Sequence, residues 1–292
     1  MDNNLPNPVS FEAALEKFLK HLDSKSRSSA TRIAYGSDLK QLMAHMTGKR
    51  VTQATTVAPD HLTEYIDILF SQSYTAKSIS RKINSMKTFF RYLKEQNVLT
   101  VNPAENLTHP KYDIKPPRFI SPDEYKALRD AVRLDIRIST VVELLLQTGM
   151  RISELANLRL EDVKKNELYL RPIENNPSRT IPLTKTAATA ISNYMSLRPK
   201  VENDHLFVTK TGRPLLIRNI RTSVDRYFKK AGIKDVKVND LRHTFIAHQL
   251  KNGVQPEVVH KQVGHKRLSS TQKYLDYLQI KEELTLTRIV EL

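Results

Sequence analysis

Between Asn102 and Pro117 the chain carries Pro103, Pro110, Pro116 and Pro117, and this run of helix-breakers constrains the fold more than any other feature. Proline has no backbone N–H to give to a helix, and it pushes the preceding residue towards extended backbone. Asn102-Pro103 stops the preceding helix, and the other three prolines, Pro110, Pro116 and Pro117, stand among charged residues and read as an extended link. With 292 residues, the chain is long enough for two domains. The first is expected over residues 1–112, the link over 113–118 and the second domain over 119–292.

Upstream of the link the apolar residues recur at helical spacing. Phe11, Leu15, Phe18, Leu19 and Leu22 outline a first helix. A second starts after Ser28 or Ser29, both good N-caps, and carries Ile33, Tyr35, Leu39, Leu42 and Met43. Pro59-Asp60 opens a third, with Leu62, Tyr65, Ile66, Leu69 and Phe70. The fourth runs from about Thr75 to Asn97 on Ile79, Ile83, Met86, Phe89, Phe90 and Leu93. Its other face carries Lys77, Arg81, Lys82, Lys87 and Arg91, which are either solvated or laid along phosphates.

The second domain opens on Ser121-Pro122-Asp123-Glu124: an N-cap, a proline at the first helical position, then acids in the first turn. Helical patterning continues until Glu167–Arg171 and Arg179–Leu183, which read as two short strands joined by an Asn175-Asn176-Pro177 turn. It then resumes to a leucine-rich tail, Leu284–Leu292, which either docks into a neighbouring copy as a helix or packs on its own domain. The fold class expected is therefore mainly α, with one small antiparallel sheet.

Charge narrows the function. Lys and Arg number 47 against 31 Asp and Glu, a net charge of +16, and the pI is near 9.8. Both parts share the excess: 15 basic against 10 acidic residues up to Tyr112, and 32 against 21 after it. That balance is the electrostatic footprint of a nucleic-acid binder, with phosphate contacts supplying much of the affinity. The chain has no cysteine, which excludes disulfides, thiolate zinc sites and cysteine nucleophiles. His260 and His265 lack carboxylates at zinc-site spacing, so no metal and no cofactor is expected. No apolar run reaches membrane-spanning length, and Met1–Ser10 lacks the apolar core of a signal peptide; a cytoplasmic location is expected.

Four segments carry chemistry. In Thr148-Gly149-Met150-Arg151-Ile152-Ser153-Glu154-Leu155, an arginine sits just past a glycine turn at the mouth of a helix, where amides and guanidinium together meet an anion. The others are Asn239-Asp240-Leu241-Arg242-His243-Thr244, Val263-Gly264-His265 and Thr271-Gln272-Lys273-Tyr274. Singly, each is a surface arginine or a packed ring. Their order is the signal: Arg242 follows Arg151 by 91 residues, His265 follows by 23 and Tyr274 by 9.

That ordered set resembles the tyrosine recombinases, the phage-integrase family, and especially its Xer-like and transposon-resolution members. The resemblance covers nearly the whole chain. Ser29, Thr31, Tyr35 and Asp38-Leu39 look like the opening of the family's core-binding, SAM-like domain of four helices, and Asn102-Pro103 with Pro110-Lys111 like its exit. Thr148 to Leu155 matches the first arginine motif, Leu241 to Thr244 the second, Gly264-His265 the histidine motif and Tyr274 the nucleophile.

The resemblance implies a site-specific recombinase that cleaves and rejoins DNA through a 3′-phosphotyrosyl link. Its partners would be double-stranded DNA with inverted-repeat core sites and, as a homo-tetramer on synapsed DNA, three further copies. Arg151 and Arg242 would clamp the scissile phosphate, Tyr274 attack it, His265 hydrogen-bond it, and Glu154 orient its neighbours. Two positions depart from the pattern. Asn239 stands where the family has histidine; it can hydrogen-bond a phosphate or a tyrosine hydroxyl but is no base. Glu174 falls where the family's hairpin lysine would protonate the leaving oxygen, which leaves that acid unassigned among Lys164, Lys165, Arg171, Arg179 and Lys185. For His243 and His248 packing is the better reading, and Tyr277 is the lesser candidate nucleophile. These departures keep two alternatives open: a catalytically silent DNA-binding protein on the same scaffold, and a type IB topoisomerase-like relaxing enzyme.

Overall fold

A computed structural model describes residues 9–25, 27–113, 115–174 and 176–292. The chain divides into two compact units, Met1–Ile114 and Lys115–Leu292. Both are mainly helical, and the mainly-α expectation is met.

The first unit is built from α1 (Phe11–Ser24), α2 (Ser29–Gly48), α3 (Pro59–Ser71) and α4 (Ala76–Glu95). The starts are set locally: the hydroxyls of Ser10, Ser28 and Thr75 accept hydrogen bonds from Ala13, Thr31 and Ser78, satisfying amides that a helix leaves open. The core is aromatic. Phe89 stacks on Phe11 at 5.5 Å between ring centroids and meets Phe18 edge-on at 5.4 Å. Each such side chain contributes about 1.5–3 kcal/mol on full burial. Ile33 and Phe70 depart from their expected places, at 73% and 49% exposed. Ile33 lies six residues before Leu39, about 240° round the helix, and so off the face that Leu39, Leu42 and Met46 bury.

One basic residue of α4 is also corrected. Lys82 is buried, donating to Asp38 at 3.1 Å and to Gln41. Asp38, itself buried on α2, takes Arg81 as a second partner. A buried carboxylate requires such company, so Lys82 is a strut between helices and unavailable to a phosphate. Lys77 and Arg91 are exposed and Lys87 half-buried, and among the described residues none of the three has an ion-pair partner.

The second unit comprises α5 (Pro122–Val132), α6 (Ile136–Thr148), α7 (Ile152–Ala156), β1 (Glu167–Leu170), β2 (Arg179–Pro182), α8 (Lys185–Leu197), α9 (Ile217–Lys230), α10 (Val238–Lys251), α11 (Pro256–Val263) and α12 (Ser269–Leu278). The α5 start is as expected: Ser121 Oγ accepts from the Glu124 amide and Glu124 Oε2 from the Ser121 amide. Ten residues of α6 are buried, because the helix is packed by α8 and α10 and by α5, α7 and α9. The strands pair antiparallel with Glu167 opposite Pro182 and Leu170 opposite Arg179. Of the connecting turn, Asn175 lies outside the described residues, as does Ile114 of the expected link.

The tail packs on its own unit, and Leu284–Leu292 forms no helix, only a single bridge between Leu286 and Val254. Leu286 N–H donates to Gly253 O, and Gln255 N–H to Leu286 O. Gln249 and Gln147 bond the backbones of Val290 and Leu292. Leu284, Ile289 and Val290 pack on the apolar cluster around Phe245.

Candidate active site

Two glycine turns build the site. Gly149 ends α6 at φ +62, the left-handed region that costs glycine little. A Cβ there would lie 2.3 Å from Phe245 Cδ1, so only glycine lets α10 come this close. The Gly149 carbonyl accepts from Arg242 Nη1 at 2.6 Å. Gly264 ends α11 at φ +65, and its carbonyl accepts from Arg151 Nη2 at 2.7 Å. Its added Cβ would strike Arg179 at 2.7 Å.

Behind the arginines lies Glu154, 3% exposed. Its Oε2 accepts from the Arg151 amide at 2.7 Å and from Arg179 Nη2 at 3.0 Å. Its Oε1 accepts from Arg151 Nη1 at 3.1 Å and from Arg179 Nη1 at 2.8 Å. Burial pushes this carboxyl upward, but the Arg179 and Arg151 bonds outweigh it and hold it below the usual carboxylate range. Arg242 is buried, and among the described residues no carboxylate forms an ion pair with it. Burial and then the Arg151 charge push its guanidinium down, though it stays cationic at neutral pH. Arg151, Arg179 and Arg242 set against Glu154 leave an excess of positive charge in a largely buried cluster, an arrangement that favours an anion.

Tyr274 sits beside this cluster, 6% exposed. Burial pushes its hydroxyl up to about 12, partly opposed by Arg242. The His265 ring stacks against it with centroids 6.4 Å apart, and His265 Nδ1 lies 2.8 Å from the Thr271 hydroxyl. Burial, then Arg242 and Arg151, push His265 down to about 3, so it is neutral at physiological pH. The structure therefore brings Arg151, Arg242, His265, Tyr274 and Glu154 together.

Asn239 is near but reaches His243 rather than the tyrosine hydroxyl. Its Nδ2 lies 2.7 Å from His243 Nε2, and His243 Nδ1 lies 2.5 Å from the Tyr274 hydroxyl oxygen. His243, read from sequence as packing, is thus the side chain on the tyrosine oxygen. A signal was present: Asn239 and His243 are four apart, on one face of a helix, beside Arg242. His248 is a packing residue, bonding the Glu291 carbonyl of the tail at 3.0 Å. Tyr277 meets Tyr274 edge-on at 6.0 Å.

The hairpin cations sort clearly. Arg179 donates to Glu154, Gln262 O and Val263 O, so its guanidinium braces the site from behind. Arg171 is paired with Glu161 and Asp162, and Lys164 with Glu167. Lys165 and Lys185 are exposed, and Glu174 stands at φ +50 in the connection between the strands. Among the described residues no group of three or more His, Asp or Glu could hold a metal ion. Nor is any helix among them long and apolar enough to cross a membrane.

Residues 118–279 match the phage integrase family, and residues 15–97 match the phage integrase N-terminal SAM-like domain. The tyrosine recombinase XerC of Staphylococcus carnosus is 32% identical over 256 residues, covering 85% of this chain and 86% of that one. The crystal structure of XerA recombinase is 26% identical, with a TM-score of 0.53 over 94% of this chain and 99% of that one. A lambda integrase tetramer bound to a Holliday junction shares the fold, with a TM-score of 0.74 at 17% identity over 91% of this chain and 80% of that one. The chain belongs to the phage integrase family and is a tyrosine recombinase.

Proposed function

We propose that this chain recombines DNA at specific sites by cutting one strand with Tyr274 and passing the resulting 3′-phosphotyrosyl link to a new 5′ hydroxyl. Residues 1–112 form the core-binding domain and residues 119–292 the catalytic domain. The observation that carries the assignment is a buried tyrosine hydroxyl beside Arg242, a buried guanidinium lacking a carboxylate partner among the described residues.

In this reading Arg242 and Arg151 donate to the non-bridging oxygens of the scissile phosphate. Charge-assisted donors held in a low dielectric stabilise the pentavalent transition state most. His265, neutral and anchored through Nδ1, turns its other nitrogen to the phosphate. Glu154 and Arg179 hold Arg151 in place. The phosphoester energy is kept in the tyrosyl link, so no nucleotide is consumed. The substrate is duplex DNA with inverted-repeat core sites, bound in the cytoplasm by a homo-tetramer, in line with the lambda integrase tetramer on a Holliday junction.

The test is direct. Nicked duplexes carrying inverted repeats, selected from a randomised pool by binding to the chain, should yield a denaturant-resistant protein–DNA band. Proteolysis should place the nucleotide on the peptide that contains Tyr274. Site binding without any covalent band would identify a silent DNA-binding protein. Relaxation of any supercoiled plasmid would identify a topoisomerase.

The basic face of α4 gives a second expectation. Affinity should fall linearly in log–log with salt, by about 0.9 per neutralised phosphate. Lys87→Ala and Arg91→Ala should each flatten that slope by about 0.9 and weaken binding on every sequence alike. Arg81→Ala should do less, because Arg81 already neutralises Asp38. Unchanged slopes for Lys87 and Arg91 would place this face in solvent.

A further inference from the structure

The nucleophile assigned above holds its proton. A phenol raised by burial to about 12 is ionised to only about one part in 10⁵ at pH 7. Attack on phosphorus therefore needs an acceptor for that proton. Arg242 is a cation, and Asn239 has no basic atom. His265 is tied at Nδ1 to Thr271 and presents its ring face, with planes 24° apart, to the Tyr274 ring. His243 alone of these groups points a ring nitrogen at the hydroxyl oxygen, and its other nitrogen is held by Asn239.

We propose that His243 is a catalytic residue, the base that takes the Tyr274 proton in cleavage and returns it in strand joining, with Asn239 as the positioning residue that sets its tautomer. The proposal rests on Tyr274 being the nucleophile. In cleavage the O–H bond of Tyr274 breaks and its proton passes to His243 Nδ1. The oxygen lone pair forms the bond to phosphorus, the bond from phosphorus to the 5′ oxygen breaks, and that oxygen leaves with its electron pair and takes a proton from water. In joining, a 5′ hydroxyl gives its proton to water and attacks phosphorus. The tyrosyl oxygen then leaves and recovers its proton from the His243 imidazolium.

Asn239 suits the second role because its amide offers a donor on one edge and an acceptor on the other. With the NH₂ towards His243 Nε2, Nδ1 bears the proton and donates to the tyrosine oxygen. With the carbonyl towards it, Nε2–H donates to Asn239 and the bare Nδ1 accepts from the tyrosine. The structure has the first, with the Asn239 NH₂ towards Nε2; turning the amide by 180° gives the second, the one from which cleavage starts. Burial keeps His243 neutral at rest, and of its charged neighbours Asp240 opposes that push while Arg242 supports it. The other titratable groups facing it are Tyr274 of α12 and the neutral His265.

The experiment is single-turnover cleavage of the selected nicked duplexes by the full chain between pH 6 and 9.5, with DNA binding and melting temperature measured on each variant. His243→Gln keeps a hydrogen bond to the tyrosine but removes the base. It should cleave on the order of 10²-fold more slowly at pH 7. Its rate should then climb about tenfold per pH unit, as phenolate formed by solvent replaces the relay, while the parent stays nearly flat above neutrality. Asn239 is exposed, so its variants leave the core intact. Asn239→Ala should lose about tenfold. Asn239→Asp should recover that loss, because a carboxylate accepts from Nε2–H, and should move the acid limb of the profile to higher pH by making His243 more basic.

A parental rate and profile in His243→Gln, with the adduct still on Tyr274, overturns the relay and leaves the recombinase reading standing. So does a fall that is the same at every pH, which marks a packing role. Identical profiles for Asn239→Asp and the parent remove Asn239 from it. A parent that forms no adduct on Tyr274 overturns both.

Discussion

Replacing Tyr274 by phenylalanine should abolish covalent protein–DNA adducts while leaving site binding within about twofold of the parent. The substitution removes one oxygen and keeps the ring, so the contacts with His265 and with Phe119, 6.3 Å away between centroids, survive. What is lost is the atom that would bond to phosphorus, and no other oxygen can take its place at that position. Tyr277 is the control: it lies three residues along the same helix and meets Tyr274 edge-on. Tyr277→Phe should form adducts at close to the parental level. The protein should remain folded, since the lost hydroxyl leaves only His243 Nδ1 short of a partner. That costs about 1–3 kcal/mol, a fall in Tm of roughly 2–12 °C for a unit of this size. Adducts that persist in Tyr274→Phe and vanish in Tyr277→Phe would move the nucleophile to Tyr277.

The parts of this architecture legible in the sequence are those decided by neighbours a few residues apart. Caps at Ser28 and Ser121 and the period of Phe11, Leu15 and Phe18 involve only local bonds and one helix face, and the helices form where these signals stand. Arg151, Arg242, His265, Tyr274 and Glu154 were legible through family order and spacing. Their physical partners were not. Arg151 reaches the carbonyls of Val263 and Gly264, 112 and 113 residues away, and Arg242 reaches Gly149 across 93. Such contacts follow from how helices pack, which no window of sequence contains.

The same limit explains the residues that changed meaning. Lys82 looks like a surface cation on its own helix, and only Asp38 of α2 makes it a buried strut. Arg179 reads in sequence as available for proton donation because its partner Glu154 stands 25 residues earlier, outside any local window. His243 passed for packing because Tyr274 stands 31 residues away on another helix. Glu174, in the connection between two four-residue strands, is a departure the structure does not compensate with a nearby unpaired hairpin arginine: Arg171 and Arg179 both have carboxylate partners.

Glu154→Ala should be among the most damaging single changes in the catalytic unit, although Glu154 touches neither tyrosine nor phosphate in the mechanism above. Its two oxygens accept four hydrogen bonds from Arg151 and Arg179. Removing one member of a buried ion pair leaves the others uncompensated in low dielectric, at a cost of about 3–5 kcal/mol. For a unit of this size that lowers Tm by roughly 6–20 °C. Arg151 would lose the bonds that aim it, and cleavage should fall on the order of 10²-fold even at a temperature where the variant is folded, comparable to losing a transition-state donor. Glu154→Gln keeps the volume and one acceptor oxygen and should lose less of both. The pH dependence has a definite sign. The Glu154 carboxyl is held low when folded, so its contribution is fully present above the unfolded value of about 4.3 and is lost as pH falls through the folded one. Glutamine has nothing to titrate, so the Tm gap between parent and Glu154→Gln should narrow steadily as pH is lowered from 6 towards 3. A Glu154→Ala protein that melts within about 2 °C of the parent, or a gap that stays constant across that range, would show that this carboxylate does not hold the arginines in place.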